Sequence, residues 1–153
     1  MNWHLKNWER GDNLPENEEK KRYLNGYIYS QRKIRLLTEQ INELRGNKMF
    51  PSVNNDGMPH GSGISDLSGY AARLDELIHQ LEAEKDVAIQ KRKEIYDQIQ
   101  SMADGNEKEI LERRYLMGET WEKIAVSMNY NYRWVLRIHG RALNNFKIPE
   151  TGH

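Results

Sequence analysis

The chain has no cysteine, which excludes a disulfide framework and every thiolate metal site and fits a cytosolic protein. It has no apolar run near the roughly 20 residues that span a bilayer, and its opening MNWHLKNWERGDN is too polar for a secretory leader. It has no excess of either charge: 23 Lys+Arg balance 23 Asp+Glu, so any argument for a polyanionic partner must rest on where the charges sit. The four prolines, Pro15, Pro51, Pro59 and Pro149, all fall outside the periodic segments, and strand-like alternation is nearly absent. The fold class expected is all-α. With 37% hydrophobic and 30% charged residues the composition suits arms and coiled coils better than a compact globule.

Catalytic signatures are missing too. No two of His4, His60, His79, His139 and His153 have the i, i+4 spacing of a helical metal site, and there is no G-x-S-x-G, P-loop or dinucleotide fingerprint. Neither an enzyme nor a metal or cofactor site is expected.

What is present is helical periodicity, interrupted twice. After an N-terminal segment 1–15 carrying Trp3 and Trp8, the stretch from Glu16 to about Arg45 places Tyr23, Tyr27, Ile34, Leu37, Ile41 and Leu44 on a and d heptad positions, with Lys20 and Ser30 as polar exceptions. Residues 46–65 break the pattern and gather Gly, Pro, Asn and Ser, a long connection where helix-to-helix links run about 2–8 residues. From Asp66 to about Met102, Leu67, Leu74, Leu81, Ala88, Ile95 and Met102 recur every seventh residue, widened by Leu77, Ile78, Ile89 and Ile99. At 1.5 Å per residue that helix is roughly 50 Å long, and its narrow stripe needs a partner. The pattern predicts an antiparallel hairpin arm over 16–103 and self-association through it into a homo-oligomer.

Ala103-Asp-Gly-Asn106 ends the arm, with Asn106 the expected start of the next helix. The remainder, 104–147, reads as a three-helix unit followed by a tail, 148–153. Thr120 is an N-cap candidate, and Trp121, Ile124, Ala125 and Met128 form one apolar face. Asn129 can take a left-handed turn and Asn131 can cap the last helix, whose apolar stripe is Val135, Ile138, Ala142 and Phe146. At about 100° per residue, Arg133, Arg137, Gly140 and Asn144 fall opposite that stripe, flanked by Tyr132, Leu136 and Arg141. No acidic residue follows before Glu150. Such a face suits a helix in the major groove of double-stranded DNA. Arg reads guanine edges or holds phosphates, Asn reads adenine, glycine permits close approach, and Asn131, Tyr132 and Arg141 fix the register on the backbone.

Leu111-Glu-Arg-Arg-Tyr115, Gly118-Glu-Thr-Trp-Glu-Lys-Ile-Ala125, Val135, Ile138-His139 and Arg141-Ala142-Leu143 resemble the helix-turn-helix of sigma factor region 4. That resemblance implies promoter reading and contact with RNA polymerase. The whole chain, including Gly57-Met-Pro-His-Gly-Ser-Gly63 and Ser65-Asp66, is similar to a family of phage and prophage transcriptional regulators of Gram-positive bacteria, which implies the cytoplasm of a bacterial host. Two other readings are an adaptor that binds polymerase without reading DNA, and a DNA-packaging protein resembling the small terminases.

Overall fold

The computed structural model describes residues 15–49 and 63–150, with side-chain surroundings for 16–47 and 67–150. The expectations for Trp3 and Trp8, for most of the connection and for the end of the tail lie outside these residues. The protein is all-α: α1 (Pro15–Met49), α2 (Gly63–Gln100), α3 (Gly105–Leu111), α4 (Trp121–Ser127) and α5 (Tyr132–Asn145), with no strand among the described residues. No described helix is long and apolar enough to cross a membrane. Pro15 opens α1 at the position where its missing N–H costs nothing, with Glu16 and Glu18 in the first turn to favour the helix dipole. The expected 46–65 connection is shorter at both ends, since α1 continues to Met49 and α2 begins at Gly63. Gly46 and Asn47 stay helical because propensity is a weak constraint once a helix is running.

The long helices α1 and α2 pack together, and the chain divides into two compact units, one of Ser30–Ala88 and the other of Met1–Tyr29 with Ile89–His153. In the first, Leu37 and Ile41 of α1 bury against Leu77 of α2, with Leu44, Leu74, Ile78 and Leu81 around them. Lys33 pairs with the buried Glu84 at 2.7 Å. As numbers rise along α1 they fall along α2, so the pair is antiparallel. Leu67, expected in the stripe, is instead 60% exposed at the start of α2.

In the second unit, the boundary expected between 103 and 104 is crossed by one continuous core. Leu24 of α1, Ile95 and Ile99 of α2, and Met102 bury with Leu111, Tyr115, Ala142, Leu143 and Phe146. Full burial of one such aliphatic side chain is worth about 1.5–3 kcal/mol. Ile89, one residue past the buried Ala88 and so turned away from the seam, is 63% exposed, and its expected place in the stripe is corrected accordingly. A smaller cluster joins Ile110, Ile124, Ala125, Val135 and Ile138. The cap of α3 is Asp104, whose side chain accepts from the Glu107 N–H, and not the expected Asn106. Asp is as good an N-cap as Asn, and here it stands three residues before the N–H it accepts from, while the Glu107 carboxylate is used on Asn145. After Leu111 the helix widens into a single π turn, Glu112–Leu116, and ends at Gly118 with φ +69, a value open to glycine at no steric cost.

Gly26 lies inside α1, and a methyl group there would meet only the flexible Lys91 side chain at ordinary contact distance, 3.6 Å. Gly26→Ala should therefore raise the unfolding free energy by about 0.5–1 kcal/mol through helix propensity. Denaturant titration should show a higher midpoint at constant m-value, and a lower midpoint would mean that the helices cannot yield there.

Candidate nucleic-acid interface

The last helix is set by two local devices, both legible in the sequence. Asn129 adopts φ 55, the Asn129 N–H bonds the Val126 carbonyl at 3.2 Å and the Tyr130 N–H bonds the Ala125 carbonyl at 2.9 Å. Together these close α4 as a Schellman motif. Asn131 then caps α5, accepting from the Trp134 N–H at 2.8 Å, as Thr120 caps α4 by accepting from the Lys123 N–H at 3.3 Å. Val135, Ile138, Ala142 and Phe146 are buried. That burial turns Arg133 and Arg137 outward, where both are exposed and neither has a hydrogen-bond or ion-pair partner among the described residues. Tyr132 is exposed beside them and Leu136 is half-buried.

The C-terminal half of the face is another matter. Gly140 is buried, so it does not offer the open approach expected of it. Asn144 is exposed, but its Oδ1 accepts from the buried Asn17 of α1 at 2.9 Å, so it is not free to read a base edge. Lys20 of α1 is buried as well, donating to the Leu143 carbonyl at 3.0 Å while pairing with Glu16 at 2.8 Å. The first turns of α1 thus occupy the side of α5 that the helical wheel left empty. A wheel describes one helix alone, and here another helix claims part of the polar face.

Arg141 keeps an exposed head group but is steadied on two sides. Its Nε lies 3.9 Å from Glu107 Oε1, and its guanidinium sits over the Trp134 ring at 5.8 Å. The buried Glu107 also accepts from Asn145 Nδ2 at 3.1 and 2.9 Å, tying α3 to the end of α5. Behind α4, the Glu119 carboxylate pairs with Lys123 at 3.1 Å and Arg113 at 3.3 Å. Burial pushes its pKa up, but those two cations outweigh burial and hold it below the usual carboxylate range.

His139 is packed, not exposed. Its Nε2 shares a 2.9 Å hydrogen bond with the Tyr115 hydroxyl, and its ring lies 4.6 Å from that of Trp121, whose other neighbour is the Arg114 guanidinium at 4.6 Å. Burial first, then the nearby Lys21 and Arg114 charges, lower its pKa from 6.5 to about 3. The imidazole is neutral at pH 7, so it supplies no positive charge to a phosphate.

Asn17, Lys20, Glu107 and Trp134 all shape this surface and none was singled out as a site residue from the sequence. Lys20 carried a signal, a lysine on an apolar heptad position, and Glu107 carried the capping-box spacing. The contacts of Asn17 and Trp134 left no trace in local pattern. Among the described residues no group of three or more His, Asp or Glu could hold a metal ion. No family model, curated protein or solved structure matches the chain.

Because the folded state releases the His139 proton at about 3 and the unfolded chain at 6.5, acid favours unfolding across that interval. Between pH 7.5 and 5 the chain should lose about 2 kcal/mol of stability on this account. Chemical denaturation at the two pH values should show the loss in the native chain and a much smaller one in His139→Gln. Equal losses in both would assign the acid sensitivity elsewhere.

Proposed function

We propose that the chain is a DNA-binding transcriptional regulator that engages the major groove through the N-terminal half of α5. The observation that carries this reading is the pair Arg133 and Arg137, exposed, one helical turn apart and without an acidic partner among the described residues, on a helix seated by a buried stripe. Two unneutralised guanidiniums beside Asn131 and Tyr132 match what groove edges and phosphates require: bidentate donors to guanine and charge-assisted bonds to the backbone. The turn between α4 and α5 has helix-turn-helix form, and the resemblance of 111–143 to sigma region 4 points the same way. Gly140 and Asn144 leave the base-reading set, while Arg141 stays as a backbone contact. The long α1–α2 pair would then serve self-association or RNA polymerase contact.

A protein-interaction adaptor is the second reading, and the exposed side chains of Val126 and Met117 favour it. Selection from a random duplex library separates the two. Binding should fall steeply with salt, and Arg137→Ala should cost about 1–3 kcal/mol with relaxed preference at one base position if it reads a base. Arg133→Ala combined with Arg137→Ala should abolish binding. A wild-type chain that enriches no duplex and shows no salt-dependent affinity would leave the adaptor reading standing.

A further inference from the structure

Resting on the reading of α5 as a duplex-binding helix, we infer that Trp134 is a phosphate-contacting residue and that the DNA backbone follows the Trp134–Arg137–Arg141 edge of α5. In the first turn of that helix Val135 goes to the core, while Trp134 stays 40% exposed with no acceptor for its indole N–H among the described residues. A tryptophan half in contact and half in solvent, with its one donor unspent, is suited to a partner that brings oxygen acceptors.

The neighbours supply the direction. Residues 134, 137 and 141 are spaced i, i+3, i+7, so they form one strip along the helix. The Arg141 guanidinium lies over the indole at 5.8 Å and its Nε is steadied by Glu107 at 3.9 Å, yet its side chain remains 54% exposed. The strip therefore holds two cations and a neutral donor, and of these Arg141 and Trp134 steady one another before any partner arrives. The opposite edge is closed, because Gly140 and Leu143 are buried and Asn144 is held by Asn17. Along the C-terminal half of α5 this leaves the Trp134–Arg137–Arg141 edge open to a polyanionic strand, and a phosphate oxygen there can accept from the indole N–H while Arg137 and Arg141 neutralise its neighbours.

Trp134→Phe keeps an aromatic ring and removes only the donor, so it separates this assignment from stacking. The full-length chain and its variants are titrated with a fluorescent random-sequence duplex at several salt concentrations. The expected result is affinity about tenfold weaker in Trp134→Phe with an unchanged slope of log affinity against log salt, since the indole is neutral. Arg141→Gln should instead reduce that slope by about 0.9, one phosphate contact fewer. Wild-type affinity in Trp134→Phe, with binding still abolished by Arg133→Ala and Arg137→Ala, overturns the assignment and leaves the α5 reading intact. So does a loss seen only in Trp134→Ala, which would mark stacking. Absence of duplex binding by the wild-type chain overturns both.

Discussion

An ammonium group placed under the last carbonyls of α5 ties the start of α1 to the end of that helix. Lys20 is buried, and a buried cation is costly unless its donors are used. Here they are used on the Leu143 carbonyl, more distantly on that of Asn144, and on Glu16. Those carbonyls sit at the negative end of the α5 dipole with no intrahelical partner, so one side chain satisfies both its own needs and theirs. Hydrogen bonds to a charged group are worth about 1.5–3 kcal/mol. Beside Lys20, Asn17 and Leu24 continue the same contact, one polar and one fully apolar. Where α1 lies thus decides which part of α5 faces outward.

From that constraint the asymmetry of the surface follows. The N-terminal half of α5 carries Arg133 and Arg137, exposed and without an acidic partner among the described residues. The C-terminal half is enclosed, by α1 on one side and by Glu107 of α3 on the other. Closure also explains His139, a neutral imidazole set among Tyr115, Trp121 and two cations, where charging it would bring a third positive charge beside Lys21 and Arg114.

The helices, the Thr120 and Asn131 caps, the left-handed Asn129 and the buried stripe of α5 were legible in the sequence because each is a local rule: spacing, a capping side chain, one permissive backbone position. What escaped was non-local. The fate of Asn144 depends on a residue more than a hundred positions earlier, and no periodicity within α5 registers that another helix will lie across it. Lys20 was visible as an anomaly in its heptad, but its partner was not. Leu67 fits a seven-residue count and still points outward, since a count of sevens drifts on a straight helix, whereas Ile89, read as widening that stripe, lies one residue beyond it and faces away. Asp104, an N-cap residue type placed just before Gly105, takes the cap in place of Asn106 because the helix already starts at that glycine.

The unit bearing α5 is assembled from both extremities of the chain, with Leu24 near the beginning and Phe146 near the end sharing one core with Ile95 and Ile99. During synthesis the first turns of α1 leave the ribosome long before α5 exists, and the core around Leu24 is completed only once Leu143 and Phe146 are made. Closing so large a loop is a slow step, typical of folds with high contact order. The segment from residue 104 onward, taken by itself, would have to expose Leu111, Leu143 and Phe146 to water, so α5 and the first turns of α1 fold as one object.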